Sequence, residues 1–497
     1  MILAPFRLIA AGWVLVRFDA LAPREIAGHL PVAARWIAGL LRLFSGPAAR
    51  RGRPGERLAH ALERMGPVAI KLGQLLSTRA DIFGQAFADD LARLKDRLPP
   101  FPMTVACTEV ERSLGRPIAS LFASFEPPIA AASLAQAHPA TLKDGRRVAV
   151  KVLRPGVERR VAADLDVMRL GAAIVERAAP AIRRLEPRLF VQTVARSMQL
   201  ELDLRLEAAA ASEMGEVMAR DAFMTAPAVV WEGVARRVLT LEWAAGQPLS
   251  AAALPSAFDR RTLANNLIRA FLTQAMDHGV FHADLHEGNL FVTAPAQLQA
   301  VDFGIVGRLS ADERRFLAEI LWGFLRRDYR RVAEIHLEAG YVPPIHSVDD
   351  FAQALRAVGE PIFGRPAREV SMGRLLGQLF EITGLFDMHM RPELVLLQKT
   401  MVTVEGVARR IDPDHDIWEA ARPVVERWIA RELSPLARVR RLAERGLLSA
   451  EHLARALERA AADDPPPTVR VQGGGLATLA LVLSIAAAAT ALAALLR

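Results

Sequence analysis

Cysteine is nearly absent from this chain, which contains one, Cys107, in 497 residues. A single cysteine excludes an intramolecular disulfide framework and a metal site built from several thiolates. This usage is typical of a protein that works in a reducing compartment. We interpret Cys107 as a small apolar residue rather than a nucleophile, because lone cysteines most often have that role.

Aromatic residues are also scarce, at 6% of the chain, whereas the basic residues outnumber the acidic ones and give a net charge of +8. An isoelectric point near 10.3 is compatible with nucleic acid, anionic lipid or a polyanionic ligand such as ATP. The sequence has no basic segment interleaved with aromatic residues that would stack bases, so we predict no nucleic-acid partner. Because 52% of the residues are hydrophobic, an anionic membrane surface is the better prediction.

An uncharged stretch of 21 residues, 476–496, lies near the C-terminus. As a helix rising ~1.5 Å per residue it would be about 30 Å long, the thickness of a bilayer core. We predict a single transmembrane helix here; the alternative is a buried alanine-rich helix. Arg459 and Arg470 precede the stretch and only Arg497 follows it, so the positive-inside rule places the large domain on the cytoplasmic face.

Small residues recur at every fourth position of this stretch, a spacing that would let two such helices approach closely and form a homodimer. These residues are Ala480, Ser484 and Ala488.

A second apolar stretch, residues 8–16, is too short to span a bilayer. Residues 20–22 resemble a signal-peptidase site, but the charged residues Arg17 and Asp19 separate them from the apolar run. We therefore predict an interfacial or docked helix and no signal peptide.

The spacing of apolar residues predicts an α+β protein with a small mixed lobe followed by a helical lobe. Alternating apolar residues around a turn at 143–145 predict a β-hairpin over 136–153, and residues 227–243 predict a second one. The predicted segments are an N-terminal helical segment (1–55), a helical extension (56–125), the mixed N-lobe (126–245), the helical C-lobe (246–462), a linker (463–475) and the transmembrane helix (476–496).

Two motifs in the predicted helical lobe carry phosphoryl-transfer chemistry: His-Ala-Asp-Leu-His-Glu-Gly-Asn at 282–289 and Val-Asp-Phe-Gly at 301–304. Their spacing matches H-x-D-x-x-x-x-N followed by D-F-G, the catalytic motifs of kinase-like enzymes. Together with the mixed lobe and the helical lobe, these motifs predict a kinase-like bilobal fold. Asp284 would orient or deprotonate a nucleophile, whereas Asn289 and Asp302 would hold Mg²⁺, which prefers hard oxygen ligands.

Lys151 ends an apolar Val-Ala-Val-Lys strand, the position from which a kinase-like lysine reaches the nucleotide phosphates. Downstream, residues 196–216 predict one helix that carries Glu201, Asp203 and Glu207. Glu201 and Asp203 do not share a helix face, so this helix would offer carboxylates in two directions. The alternative is a solvated acidic face.

Residues 241–244 follow the second hairpin and would form the hinge, in which the main chain of Glu242 and Ala244 binds the adenine edge. Where an ordinary protein kinase has G-x-G-x-x-G, this chain has an alanine-rich segment that would contact the nucleotide. Its first residues are Ala130, Ala131, Ala132 and Ser133. Alanine tolerates positive φ less well than glycine, so we expect a stiffer loop.

Two further features separate the chain from an ordinary protein kinase. There is no A-P-E after Asp-Phe-Gly, so the peptide platform is predicted to be missing and protein phosphorylation is not expected. His282 and His286 are four residues apart, as in a metal-binding pair. Their place beside Asp284 and Asn289 predicts a role in holding the loop instead.

With these departures the chain resembles the UbiB / aarF-domain-containing family of atypical kinases over roughly residues 60–310. The segments that carry the resemblance are KLGQLLSTR (71–79), AAASLAQAH (130–138), VAVK (148–151), ELDLRLE (201–207), HADLHEGN (282–289) and VDFG (301–304). The departures from the family pattern are Leu285 and Glu287, where many members have proline, and Ala135, where many have glycine.

The resemblance implies roles for further residues and for ligands. Lys71 and Gln74 would lie on a helix folded over the nucleotide site, where Lys71 meets Glu201 and Asp203 and blocks access for a protein substrate. Lys151 would pair with Glu207. The implied cofactors are ATP and Mg²⁺.

The resemblance also implies a function in ubiquinone biosynthesis at the bacterial inner membrane. A member would be an ATPase acting on prenylated quinone precursors in the lipid, or on the biosynthetic enzymes, and accessory to hydroxylation of a 2-polyprenylphenol. The sequence has neither a flavin fingerprint nor an iron-ligand triad for a direct hydroxylase. Two alternatives stay open: a small-molecule or lipid kinase that phosphorylates a hydroxyl, and a nucleotide-sensing scaffold for the biosynthetic enzymes.

Overall fold

The structure is a computed structural model that describes most of the chain up to residue 432. The described residues are 4–20, 36, 39–46, 49, 52–77, 85–92, 94, 99–178, 187–251, 254–361, 385–388 and 392–432. The chain divides into two units, 1–429 and 430–497. The predicted linker (463–475) and transmembrane helix (476–496) lie outside the described residues. Within the described ranges, no helix is both long and apolar enough to cross a bilayer.

The N-terminal part is helical, as the sequence predicts. Its helices are α1 (Ala4–Arg17), α2 (Pro54–Met65), α3 (Pro67–Leu76) and α4 (Gln85–Ala92). Gly66 separates α2 from α3 with a φ of 107°, a conformation that disfavours side chains, and Pro67 then starts α3. Helices α2, α3 and α4 pack around a shared core that includes Leu62, Ile70 and Leu91.

The mixed lobe is built on an antiparallel five-stranded sheet in the order β1-β3-β4-β5, with β2 beside β3. Its strands are β1 (Phe122–Phe125), β2 (Ala130–Ala131), β3 (Ala135–Leu142), β4 (Arg147–Leu153) and β5 (Val238–Glu242). The predicted 136–153 hairpin is confirmed, and it turns at Gly145 with a φ of 88°. Val148, Val150 and Val152 are fully buried on one face against Val110 of α5 (Met103–Leu114).

Two predictions for this lobe need correction. The second hairpin is wrong in its first arm, because residues before β5 form only isolated bridges and a 3₁₀ turn at Trp231–Gly233. Pro227 lies in that arm and has no N–H to donate to a ladder. The sheet also begins at Phe122, after the four-residue helix α6 (Ile118–Leu121), and therefore before the predicted lobe boundary at 126.

Three helices connect β4 to β5: α7 (Val157–Ala178), α8 (Pro187–Glu201) and α9 (Leu204–Met218). The predicted continuous helix over 196–216 is wrong, since α8 ends at Glu201. Asp203 starts the next helix as its N-cap, and its Oδ1 accepts a hydrogen bond from the Arg205 amide at 3.2 Å. Helix α1 packs against α7, where Arg7 Nη2 lies 2.7 Å from Asp164 Oδ1.

The remaining described residues are mainly helical. They form β6 (Gln247–Pro248), α10 (Arg260–Thr273), a π-helical turn (Gln274–His278), β7 (Val280–His282), β8 (Leu290–Thr293), β9 (Gln297–Ala300), β10 (Val306–Arg308), α11 (Ala311–Arg326), α12 (Tyr329–Glu338), α13 (Val348–Gly359), α14 (Pro392–Ile411) and α15 (Ile417–Glu432). β7 pairs with β10, and β8 pairs with β6 and β9, so these short ladders hold the segment 283–289 between them.

Candidate active site

Lys151 is the point at which the two lobes meet. Its neighbours Val150 and Val152 face the buried side of the sheet, so the pleat directs Lys151 to the opposite side. Lys151 Nζ donates to Glu207 Oε1 at 2.7 Å and to Oε2 at 2.9 Å, and it lies 3.4 Å from Asp302 Oδ1. The contact between Lys151 and Glu207 that the resemblance implies is therefore present.

The charges of these three groups are strongly coupled. Burial disfavours the ammonium of Lys151, but Asp302 and Glu207 outweigh burial and raise its pKa above the ordinary value. Burial, reinforced by the charge of Asp302, raises the pKa of Glu207 to about 7 although Lys151 opposes it. Lys151 in turn lowers the pKa of Asp302. Lys151 therefore stays cationic and Asp302 ionised, as a phosphate ligand and a metal ligand require.

The loop that carries Asp284 is held in place by the side chain of His282, which is fully buried. His282 Nδ1 accepts a hydrogen bond from the Asp284 amide at 3.1 Å, and Nε2 contacts the Val301 carbonyl at 3.1 Å. Burial lowers the pKa of His282, which favours the neutral ring that this pattern needs. The His282 ring also packs against the ring of Phe303, with 5.1 Å between the two ring centroids. These contacts agree with the predicted role of His282 in holding the loop.

His286 makes different contacts from those of His282. Its Nδ1 accepts from the Gly288 amide at 3.0 Å, and its Nε2 lies 3.6 Å from Asp284 Oδ2. The two histidine rings therefore contact different groups, which agrees with a role in holding the loop.

Asn289 and Asp302 present oxygens suited to a divalent cation. Asn289 Nδ2 donates to the Asp284 carbonyl at 3.1 Å, which leaves its Oδ1 as a free acceptor. Asp302 has a φ of 63°, a strained conformation for a non-glycine residue and one that is frequent at functional sites. Within the described residues, no three His, Cys, Asp or Glu side chains are grouped to hold a metal. Mg²⁺ fits these two donors only together with nucleotide phosphates.

The alanine-rich segment forms the tip of the β2–β3 hairpin. Ala130 and Ala131 pair with β3, and the Ala132 amide donates to the Ala135 carbonyl at 2.8 Å. No residue of this described segment has a positive φ, so the tip needs no glycine. Ser133 is buried, and its predicted contact with a nucleotide stays a prediction.

Arg154 fixes this tip, and the sequence reasoning missed it. Its Nε donates to the Ala132 carbonyl at 2.9 Å and its Nη2 to the Pro99 carbonyl at 2.8 Å. Its amide donates to the Leu134 carbonyl at 2.8 Å. The only available sequence signal was a basic residue three positions after Lys151.

The predicted hinge follows β5 directly. The Glu242 amide donates to the Ala228 carbonyl at 2.9 Å, so this amide is already used. The Ala244 amide makes no hydrogen bond within the described part of the chain. A free amide at this place suits the predicted contact with the adenine edge, which stays a prediction.

Lys71 of α3 forms an ion pair with Glu201, at the end of α8, and both side chains are largely buried. Asp203 does not join them, because its carboxylate binds Arg205 at 2.6 Å and caps α9. Gln74 is half-buried on the same helix, and its side chain makes no hydrogen bond within the described residues. The described contacts thus bring Lys71 to Glu201, but not to Asp203.

The glycine of the Lys-Leu-Gly-Gln motif has a packing reason. A Cβ on Gly73 would lie 2.3 Å from Leu94 Cδ1 and 2.7 Å from Leu62 Cδ1. The absence of a side chain lets α3 approach its neighbours closely, and this fixes the position of Lys71.

Helix α14 supports the loop that carries Asp284 from a distant part of the chain, and no sequence pattern predicts this contact. Thr400 Oγ1 donates to the Ala283 carbonyl at 3.1 Å. Arg410 forms an ion pair with Glu287, and Leu285 is fully buried. These contacts restrain the loop at Leu285 and Glu287.

Two protein families match the sequence. The ABC1 atypical kinase-like domain matches residues 93–336, and the UbiB helical domain matches residues 355–416. Two similar curated proteins are each called probable protein kinase UbiB. The one from Marinobacter nauticus is 40% identical, covering 88% of this chain and 81% of its own length. The one from Pseudomonas entomophila is 39% identical, and the match covers 88% of this chain and 83% of that protein.

A solved structure has a similar fold at lower sequence identity. It is described as the complex structure of Rv3197-erythromycin from Mycobacterium tuberculosis, with a TM-score of 0.53 and 23% identity. The match covers 78% of this chain and 97% of that one. At this identity the likeness bears on the fold alone, and it supports the predicted kinase-like architecture.

Proposed function

Because the chain belongs to the UbiB family of atypical kinase-like proteins, we propose that it is a Mg²⁺-dependent kinase or ATPase required for ubiquinone biosynthesis. The observation that carries this proposal is the placement of Lys151 between Glu207 and Asp302. Lys151 is half-buried between two carboxylates, and this arrangement costs desolvation energy. That cost is explained if the site receives a polyanion and a divalent cation.

Each side chain of the site has a role in this proposal. When bound, ATP would supply the phosphoryl group, and Mg²⁺ would offset the negative charge of the phosphates. Lys151 binds the phosphates while Glu207 keeps it in place, and Asn289 and Asp302 offer oxygens to the cation. Asp284, with a half-buried carboxylate 3.6 Å from His286, orients a water or hydroxyl for attack.

We propose water or a lipid-borne group as the acceptor, at the cytoplasmic face of the inner membrane. The chain lacks an A-P-E segment, and α3 is fastened by the Lys71–Glu201 pair six residues before Glu207. Both features argue against a docked protein substrate. The uncharged stretch at 476–496 supports a membrane anchor near prenylated quinone precursors.

The test is nucleotide binding and phosphate release by the full-length protein with Mg-ATP and vesicles that contain a phenolic lipid. Wild type is expected to bind nucleotide and release phosphate, and Asp302→Asn to lose the Mg²⁺-dependent part of both. Asp144→Asn, in the exposed β3–β4 turn, is the matched control and should behave like wild type. No nucleotide binding by wild type would overturn the proposal.

Product analysis separates the alternatives. A phosphorylated lipid identifies a lipid kinase, whereas free phosphate alone identifies an ATPase. Rescue of quinone levels in a deletion strain by Asp284→Asn with normal nucleotide binding would instead identify a nucleotide-sensing scaffold.

A further inference from the structure

An exposed apolar surface lies at the N-terminal end of the folded unit, remote in sequence from the nucleotide site. We call it the N-terminal apolar surface, and define it by α1 together with residues 36 and 39–44. Its exposed large side chains are Phe6, Ile9, Trp13, Trp36, Leu40, Leu43 and Phe44, which are 48–78% exposed. Large apolar side chains concentrated in this way on a folded protein mark an interaction site.

On α1 the exposed residues follow the helix period. Phe6, Ile9 and Trp13 are three and four residues apart and therefore share one face. The other side of α1 is already used, because Leu8 approaches Gly171 of α7 and Val16 is buried. Helix α1 is thus apolar on two sides, and only one of them is covered by the protein.

The two segments form one continuous surface. The rings of Trp13 and Phe44 are 5.7 Å apart. The Gly46 amide donates to the Arg17 carbonyl at 2.9 Å, which fastens the second segment to the end of α1. The surface is therefore organised by the fold rather than by a single helix.

The two segments carry mainly positive charge, and the carboxylate of α7 that meets Arg7, Asp164, is itself largely buried. Residues 4–20 and 36–46 contain one acid, Asp19, and it is buried beside Arg42 at 3.3 Å. Arg17 is exposed at the C-terminal end of α1 and has no ion-pair partner within the described residues. The accessible charge at the edge of the surface is therefore positive.

We propose that the N-terminal apolar surface docks onto an anionic lipid bilayer, as a second membrane contact in addition to the predicted C-terminal span. Its two exposed indoles favour the boundary between headgroups and acyl chains. A helix lying in that plane is buried by about 5–10 Å, and arginines at its edge meet anionic headgroups. A second copy of the chain fits less well, because a two-fold interface would bring like charges together.

The proposal rests on the membrane setting of the proposed function but not on its chemistry. Docking would hold the nucleotide-binding unit against the bilayer, within reach of a lipid-borne acceptor. This contact would make the orientation of that unit depend on its own surface, and not only on a tether at residues 463–475.

The experiment is quenching of tryptophan fluorescence in the full-length protein, reconstituted in vesicles of phosphatidylcholine and phosphatidylglycerol. The lipids carry bromine on the acyl chain near the headgroup end. The variant Trp13→Phe/Trp36→Phe is compared with Trp231→Phe, which removes an exposed indole from the sheet lobe. We expect bromine to quench wild type and Trp231→Phe, and the double variant to lose most of that quenching.

Three outcomes overturn the proposal. One is equal fractional quenching of wild type and the double variant. Another is quenching that is unchanged when phosphatidylglycerol is omitted. The third is disulfide formation between two chains through Ile9→Cys in a Cys107→Ser background, because that result assigns the surface to a second copy. Phosphate release measured on the same vesicles tests the proposed function separately.

Discussion

Lys151 Nζ lies 3.4 Å from Asp302 Oδ1, although the two positions are 151 residues apart. The contact joins strand β4 of the sheet lobe to the segment between β9 and β10 of the helical lobe. Glu207 approaches the same ammonium from α9 at 2.7 Å. Three elements therefore converge on one cation, and a change at Lys151 should affect both nucleotide chemistry and folding.

Lys151→Met should lower phosphate release by roughly 10²–10³-fold, the range seen when one preorganised charge-stabilising group is lost. The substitution keeps the length of the apolar stem but removes the charge that would face the phosphates. The measurement is steady-state phosphate release with Mg-ATP. Lys143→Met, in the exposed turn between β3 and β4, is the control. If Lys151→Met releases phosphate at the rate of wild type, Lys151 has no role in the reaction and the prediction is wrong.

Asp284→Asn should separate binding from chemistry. Asn289 donates to the main-chain carbonyl of residue 284, so the amide substitution leaves that support in place. We expect nucleotide affinity to stay near that of wild type while phosphate release falls by about 10²–10⁴-fold, the usual contribution of a positioned acid or base. Titration with a fluorescent nucleotide and single-turnover phosphate release measure the two quantities. A parallel loss of both would place Asp284 among the binding groups instead.

The local patterns were sufficient to predict the elements that hold this site. Alternation on both sides of the turn at 143–145 predicted the β3–β4 hairpin, and the family resemblance implied that Glu207 would pair with Lys151. The hairpin prediction held because pleat and turn chemistry act over a few residues. The break between Glu201 and Leu204 was not predicted, since apolar periodicity continues through it and only the cap at Asp203 reveals it.

Long-range supports had no sequence signal. Thr400 reaches the Ala283 carbonyl from α14, and Arg154 joins the alanine-rich tip to Pro99. A single threonine or arginine carries no periodicity that names its partner. Such contacts are set by how helices pack in three dimensions, so they were visible only in the folded chain.

Stability should fall on acidification, in part because of His336. It is fully enclosed and its Nδ1 contacts the Val332 carbonyl at 2.7 Å, and burial lowers its pKa below 6.5. Below pH 6.5 the unfolded chain takes up a proton that folded His336 does not, so its contribution is present above that pH and lost below it. Each histidine of this kind can lower the unfolding free energy by at most about 1.4 kcal/mol for each pH unit of acidification.

Chemical denaturation between pH 7 and pH 5 measures this effect. His336→Gln should show a shallower loss of unfolding free energy with falling pH than wild type. His60→Gln, which alters a histidine that is 67% exposed, should keep the slope of wild type. Equal slopes for wild type and His336→Gln would contradict the prediction.

Charge exchange tests whether Lys71 and Glu201 hold α3 against α8. Lys71→Ala should lower the unfolding free energy by about 1.5–3 kcal/mol, as for a lost hydrogen bond to a charged group, because it removes the cation that pairs with Glu201. Lys71→Glu should cost more, and Lys71→Glu/Glu201→Lys should recover part of the loss. Arg205→Ala breaks the more exposed pair with Asp203 and should cost less than about 1 kcal/mol. Denaturant midpoints for the four variants measure these differences, and a double exchange no more stable than Lys71→Glu would show that the pair does not hold the helix.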